Sequence, residues 1–409
     1  MSLLLPVVLP INEDEQKQAT ASLEVSSSPL LPCWKEHLVA VAKHYEGKHI
    51  TAAQRAFLQD KSQYRLLRYE WDGNGRATYA STFADVRLSR VCQMMDKAYH
   101  WMRNHAPDVW CQPSCLYFWV SDRVPWEAPA DFPFFVQAAP SDTPYFLFPE
   151  TTFENFTIHG RGDCDWDQAK IAMQQQMQQS QQPSLLQNKE EVVYFRGAET
   201  GNSRNGLRRF LFAQKFPDAI RILPTTSSWN RVPDKEAISM ASASSAAISN
   251  TFESPSEWSR YRYLLNLAGN LEWSNREKFL FLSRSAVVHV DTTILNDDYG
   301  AGCKDTPYRT FLDFFVRPGR DYINVPLELH RLRHDRQYRD ITPPLLLAEN
   351  KRRMEHLVQQ LHELVRSDPA KYQQMAEQGY QTVSAITNNT INAYLTDLIR
   401  TYNSLPFFK

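Results

Sequence analysis

The sequence lacks the long apolar runs and the strong net charge that would place it in several common classes of protein. No stretch approaches the roughly 20 consecutive apolar residues that a membrane-spanning helix needs. The 409 residues carry a formal net charge of −1, so the chain has no global basic field of the kind that nucleic-acid-binding proteins present. We therefore expect no nucleic-acid partner and no transmembrane span in this chain.

Cysteine and glycine motifs are also scarce. The chain has 6 cysteines, and the only close pair, Cys111 and Cys115, lacks the second pair that a zinc site needs. One or two disulfides remain possible if the chain is secreted. No G-x-G-x-x-G follows a predicted strand, which argues against a nicotinamide-dependent dehydrogenase. The aspartates between 291 and 305 are interpreted as a solvated loop, so no metal site is expected.

Alternating helical and strand-like segments predict an α/β protein with two domains. We expect a flexible leader over 1–33, two Rossmann-like domains over 34–185 and 190–345, and C-terminal helices over 346–409. A glutamine-rich stretch at 168–190 marks the domain boundary. In the first half, a hairpin, a helix and three strands are predicted at 64–81, 83–104, 116–120, 134–138 and 145–148. In the second half, strands are predicted at 192–195, 219–222, 263–267, 286–290 and 322–325.

The most informative stretch runs from 194 to 207 and reads Y-F-R-G-A-E-T-G-N-S-R-N-G-L. An apolar strand leads into it, and a helix-like run leads out. A glycine-containing loop between a strand and a helix N-terminus suits a phosphate group, and arginines add bidentate, charge-assisted donors. We interpret Arg196, Gly197, Thr200 and Arg204 as phosphate-binding residues.

A second candidate segment follows the predicted strand that begins at Tyr261. The strand ends at a glycine, and Ser274 is predicted to cap the next helix. Arg276 then falls in the first turn, where a cation opposes the helix dipole. This placement favours a nearby anion, and Arg276 is interpreted as a second clamp on the same diphosphate. A solvent-exposed arginine is the alternative.

Asp122 is the candidate for acid–base chemistry. It follows a strand, where α/β proteins place their ligands, and its carboxylate could accept a proton from an attacking hydroxyl. By itself, an aspartate in this position is more typical of a turn. His289, within the apolar run V-V-H-V, is interpreted as a core histidine and not as a base.

Taken together, these segments resemble glycosyltransferase family 90, which contains the Rumi-type protein O-glucosyltransferases and the fungal capsule-associated transferases. The resemblance spans roughly residues 105–400 and depends on the order of its motifs. These are F-R-G-x-x-T-x-x-x-R at 195–204, Y-R-Y-L-x-N-x-x-G at 261–269, S-x-R at 274–276 and P-x-x-x-Y-I-x-V at 318–325.

The resemblance implies a GT-B fold, in which two Rossmann-like domains face a cleft. It implies an inverting transferase that takes glucose or xylose from a UDP-sugar to a hydroxyl of a glycan or protein, with no obligatory metal or cofactor. Asp122 corresponds to the catalytic base, although one residue is inserted before the following proline. Ser274, Asn275 and Arg276 join the donor site, and Glu257 falls where the family has an acidic residue near the nucleotide base.

Two alternatives stay open at this point. The altered Asp122 segment is also compatible with a non-catalytic protein of the same fold that binds a nucleotide-sugar or a partner.

The resemblance places the protein in the lumen of the secretory pathway, whereas the chain taken as complete, without a recognisable signal peptide, would be cytoplasmic.

Overall fold

Two β-sheets form the framework of this α/β protein. The computed structural model describes residues 34–59, 66–81, 86–120, 132–141, 143, 145–153, 156–158, 161–198, 206–216, 218–225, 255–269, 276–295, 304–305, 308–333 and 341–406. All of them lie in one unit, residues 34–409, and the predicted leader lies outside them.

The described helices and strands alternate along most of the chain. The helices are α1 Lys35–Tyr45, α2 Ala52–Gln59, α3 Val86–His105, α4 Pro107–Trp110, α5 Trp166–Gln179, α6 Leu207–Ala213, α7 Pro255–Trp258, α8 Glu277–Leu282, α9 Pro344–Arg366, α10 Ala370–Ser384 and α11 Asn388–Ser404. The strands are β1 Leu66–Trp71, β2 Ala77–Ala80, β3 Ser114–Trp119, β4 Phe135–Val136, β5 Ala138–Pro140, β6 Phe146–Leu147, β7 Phe156–Ile158, β8 Arg161–Cys164, β9 Glu190–Ala198, β10 Ile220–Thr225, β11 Tyr261–Asn266, β12 Ala286–Leu295, β13 Lys304–Asp305, β14 Tyr308–Thr310 and β15 Ile323–His330.

The first sheet has the strand order β2-β1-β3-β4-β6. β1 runs antiparallel to both β2 and β3, and only β3, β4 and β6 are parallel. The parallel pairing that alternating helices and strands favour for this half is therefore found for β3, β4 and β6, and β1 departs from it. The physical reason is the hairpin, which was itself predicted: Gly73 and Gly75 have positive φ, and the Asp72 carboxylate accepts hydrogen bonds from the N–H groups of Asn74 and Arg76. That tight turn forces β2 back along β1.

The second sheet is predominantly parallel, with the order β10-β9-β11-β12-β15 and β13 antiparallel to the end of β12. All six residues of β11 are buried. Such continuous burial is typical of a central strand in a parallel sheet, whereas β15, at the edge, alternates between buried and exposed residues. The five strands predicted for this half are confirmed, although each observed strand extends beyond its predicted bounds.

The C-terminal helices pack against this sheet. Leu357, Leu361 and Leu364 of α9 pack into a core with Val193 and Leu265. These leucines recur at the spacing of one helix face. The helical tail predicted from this periodicity is confirmed as α9, α10 and α11.

Several buried contacts join the two sheets. The Lys278 ammonium group of α8 lies 3.2 Å from the carboxylate of Glu150 and donates to the hydroxyl of Thr152 at 2.7 Å. β14 pairs with β5, and Tyr394 of α11 donates a hydrogen bond to the carbonyl of Leu147. The second sheet is thereby fixed against the first near the start of α8.

Candidate functional site

The second sheet reverses its winding between β9 and β11. Numbered in chain order, its parallel strands lie 2-1-3-4-5 across the sheet. The chain therefore passes from β9 to β10 in one direction across the sheet and from β11 to β12 in the opposite direction. Doubly wound sheets open a crevice at such a point, beyond the carboxyl ends of the strands, and ligands bind there. We call this place, at Ala198 and Asn266, the carboxyl edge.

Two guanidinium groups meet at the carboxyl edge. Arg276 donates from Nη1 to the carbonyl of Arg196 at 2.6 Å, and Arg208 donates from Nη2 to the carbonyl of Leu267 at 3.0 Å. Both lie over the ring of Phe195, at 4.1 Å and 5.2 Å from its centroid. We call Arg208 and Arg276 the arginine pair. The pair links the ends of β9 and β11 through backbone carbonyls and one aromatic face.

Arg276 has donors that no group in the described part of the chain accepts. Its Nε and Nη2 atoms are buried and lack a hydrogen-bond partner there. Burial, and then the charge of Arg208, lowers the pKa of Arg276, and burial lowers the pKa of Arg208. A guanidinium is intrinsically so basic that both groups remain cationic at neutral pH. An anion at this place would accept the unused hydrogen bonds and offset the repulsion.

Gly197 allows this arrangement because it has no side chain. A Cβ atom at this position would lie 2.9 Å from Cζ of Phe195 and 3.4 Å from Nη1 of Arg276. The first distance is shorter than carbon atoms normally approach, so any larger residue would displace the ring on which the arginine pair lies.

The structure brings three of the predicted site residues together and separates one. Arg196, Gly197 and Arg276 lie at the carboxyl edge, where Arg196 contributes its carbonyl to Arg276. Glu257 is exposed in α7, which leads into the amino end of β11. It is therefore not brought to the arginine pair. The other predicted residues lie outside the described part of the chain: Asp122, Thr200, Arg204, Ser274 and Asn275.

The predicted start of the helix after β11 needs a correction. α8 begins at Glu277, and the residue in the N-cap position is Arg276, with φ −85° and ψ −11° and no side-chain cap. The predicted cap at Ser274 and the placement of Arg276 in the first turn are wrong. The reason is tertiary: the guanidinium of Arg276 is held by Phe195 and by the carbonyl of Arg196, both on another strand.

Sequence reasoning missed Arg208 and Phe195. Arg208 lies in the first turn of α6, where a cation opposes the helix dipole. This is the signal that singled out Arg276, and it would have identified Arg208 as well. Nothing in the sequence marks Phe195 as the shared platform, because its role depends on two side chains from distant segments.

A second polar group of side chains lies at the carboxyl end of β11, where Asn266 pairs with His289 in the first half of β12. Nδ1 of His289 is 2.8 Å from Oε1 of Glu277 and 3.0 Å from Nδ2 of Asn266. The His289 side chain is 19% exposed and that of Glu277 is 9% exposed. We call Asn266, Glu277 and His289 the His289 cluster. The histidine is largely buried, as interpreted, but it is ion-paired and not surrounded by apolar groups alone.

The His289 ring is charged at neutral pH. Burial by itself lowers the pKa of His289, but the charge and hydrogen bond of Glu277, with smaller effects of Asp313 and Asp291, raise it to about 9. Burial and the charge of Glu277 in turn raise the pKa of Asp313 to about 6. The cluster therefore holds an imidazolium among acidic groups.

The described residues show neither a metal site nor a disulfide-linked C-x3-C pair. In the described ranges, no three His, Cys, Asp or Glu side chains come close enough to hold a metal ion. Cys92, Cys111 and Cys115 are free thiols, so the C-x3-C pair is not bridged. No helix within the described part of the chain is both long enough and apolar enough to cross a bilayer.

No protein-family model matches the chain, and no curated protein matches it. Functional inference for this protein therefore depends on the geometry of the carboxyl edge and on the motif resemblance described above.

The contact between Gly197 and Phe195 is testable. We expect Gly197→Ala to displace the ring and the arginine pair, and to cost about 1–3 kcal/mol of stability through overpacking. Binding of inorganic pyrophosphate, measured by calorimetry, should weaken at least several-fold. Gly73→Ala is the control, because a Cβ there would crowd the carbonyl of Cys111 at the hairpin of the first sheet. Equal pyrophosphate affinity in wild type and Gly197→Ala would contradict the role of this glycine.

The His289–Glu277 ion pair predicts a pH-dependent stability. Because the folded-state pKa of His289 is raised from 6.5 to about 9, its stabilisation is complete below about pH 6.5 and is lost as the pH rises through about 9. The loss should be on the order of 3 kcal/mol. Urea unfolding at about pH 6 and about pH 10 should show that the stability of wild type relative to His289→Gln falls by this amount, because the other titrating groups are common to both proteins. The same loss in both proteins would refute the assignment.

Proposed function

We propose that this protein is an inverting glycosyltransferase that uses a UDP-sugar donor, with glucose or xylose as the expected sugar. The observation that carries this proposal is the guanidinium of Arg276, buried at the carboxyl edge with two unused donors beside a second cation. A diphosphate supplies the two charges and the several acceptor oxygens that this place requires.

The strand order supports a nucleotide as the carrier of that diphosphate. Sheets wound in the order 2-1-3-4-5 bind nucleotides in the crevice between the first and third strands, and here those strands are β9 and β11. The motif resemblance points to the same two strands. We further propose that the two sheets belong to the two halves of a GT-B arrangement, with the acceptor side in the first half.

The proposed reaction is a single displacement. An acceptor hydroxyl of a glycan or protein attacks the anomeric carbon while the bond from that carbon to the β-phosphate oxygen breaks, and UDP leaves with the electron pair. The arginine pair stabilises the negative charge that develops on UDP. Asp122 takes the proton from the hydroxyl as general base. Attack opposite to the leaving group inverts the configuration.

Arg276→Met tests the donor site. Two charge-assisted hydrogen bonds are lost, so UDP affinity should fall about 100-fold. The apo protein should keep or gain thermal stability, because a buried cation is replaced by an apolar chain of similar length. We would measure affinity by calorimetry and the melting temperature with UDP, UDP-glucose, UDP-xylose, UDP-galactose, GDP-mannose and NAD.

The matched control is Arg262→Met. Arg262 is also a buried arginine, but it lies at the start of β11, where it donates to the carbonyl of Leu186 and pairs with Glu191. This variant should lose stability and retain UDP affinity. No UDP binding by wild type, or equal losses of affinity in both variants, would rule out the proposed donor site.

Asp122→Asn separates catalysis from binding. Asparagine cannot accept the proton, so transfer should fall by at least about 100-fold, while UDP affinity stays within about twofold of wild type. Assays of sugar transfer and of slow UDP-sugar hydrolysis would follow both reactions. Full transfer by Asp122→Asn would exclude this residue as the base. UDP-sugar binding without transfer or hydrolysis by wild type would favour the non-catalytic alternative.

A further inference from the structure

The His289 cluster contains a buried polar atom without a partner. Asn266 is 2% exposed, and within the described residues its Oδ1 atom accepts no hydrogen bond. Its amide lies 3.0 Å from Nδ1 of His289, which is itself 2.8 Å from Glu277. An unsatisfied buried amide is costly, so it indicates a position where another polar group binds.

The protonation of His289 does not remove this unsatisfied group. A protonated His289 carries a hydrogen on Nδ1 and donates it to Glu277. Nδ1 then cannot accept a hydrogen bond from the NH2 group of Asn266, and only the oxygen of that amide could share the Nδ1 hydrogen. Rotating the amide by half a turn brings that oxygen to Nδ1 and leaves the NH2 group in the position of the unpaired oxygen. In either orientation one polar end of Asn266 is buried without a partner.

The two polar places at the carboxyl edge differ in charge. The arginine pair consists of two cations, which suits a diphosphate. In the His289 cluster the charge of His289 is at least balanced by Glu277, and the nearby Asp313 carboxylate is occupied by Thr310. A mixture of donors and acceptors without excess positive charge suits neutral hydroxyl groups, as on a sugar ring.

The arginine pair and the His289 cluster are adjacent, because consecutive residues of the chain belong to one and the other. Asn266 belongs to the cluster, and the carbonyl of Leu267 accepts from Arg208. Arg276 belongs to the arginine pair, and Glu277 binds His289. Consecutive Cα atoms lie about 3.8 Å apart, and the crevice between β9 and β11 is about one strand spacing, 4.8 Å, from that between β11 and β12. A single extended ligand can therefore reach both.

We propose that Asn266 and His289 form the subsite for the sugar ring of the donor, with Glu277 fixing the orientation of the imidazole. The free polar end of the Asn266 amide and Nε2–H of His289 bind hydroxyl groups of the ring while the arginine pair holds the diphosphate. This inference rests on the proposed function, because it assigns the residues that bind the sugar of the same UDP-sugar donor.

The test compares a donor with and without its sugar. Calorimetry would give the affinity of wild type, Asn266→Ala and His289→Gln for UDP and for the tightest-binding of UDP-glucose, UDP-xylose and UDP-galactose. We expect each substitution to lower the affinity for the UDP-sugar about tenfold, the effect of one lost hydrogen bond. The affinity for UDP should fall less than about twofold. Melting temperatures would show that the variants are folded.

Asn350→Ala is the matched control. Asn350 is an equally buried amide, 1% exposed, but both of its ends bind the backbone of His330. It should lower stability without changing the ratio of the two affinities. If the cluster variants lower the affinities for UDP and for the UDP-sugar equally, or lower neither affinity, the sugar subsite is refuted and the donor site stands. If wild type binds no UDP, both assignments fall.

Discussion

The burial of one guanidinium beside another at the carboxyl edge is the constraint on which the rest of the site depends. Removing a cation from water and placing it near a like charge is unfavourable, and the ring of Phe195 and two backbone carbonyls offset only part of that cost.

Lys189, just before the amino end of β9, is a buried cation of a different kind. Burial lowers the pKa of Lys189 to about 7, yet its ammonium group donates to three acceptors, the carbonyls of Ser259 and Ser283 and the hydroxyl of Ser285. A buried cation alone does not indicate a site; unused donors do.

Three consecutive residues at the start of α8 connect the site to the whole fold. Arg276 belongs to the arginine pair, Glu277 holds His289 of β12, and Lys278 forms the buried ion pair with Glu150. Burial raises the pKa of Glu150 and lowers that of Lys278, so breaking the pair would leave an uncompensated buried charge. The segment that positions the proposed donor groups is thus anchored to both sheets, and its geometry is set before any ligand arrives.

Much of the second half could be predicted from local pattern. β9, β11 and the start of β12 contain short apolar runs, and α9 to α11 show helical periodicity, so local hydrophobic pattern predicts them. The first half was harder because strand direction depends on which segments pair. The β1–β2 hairpin was recognisable from the turn at Asp72, but the antiparallel pairing of β1 with β3 is a long-range contact that no local pattern encodes.

For the site, the sequence by itself determined that arginines and glycines lie at or beyond the carboxyl ends of β9 and β11, because strand, loop and helix signals are local. That much identified Arg196, Gly197 and Arg276. Only the tertiary structure decided that Arg208 joins Arg276 on one ring, that Glu257 lies elsewhere, and that His289 is ion-paired. Each of those facts depends on the order of strands across the sheet, which brings residues far apart in the chain into contact and is set by packing and not by local propensity.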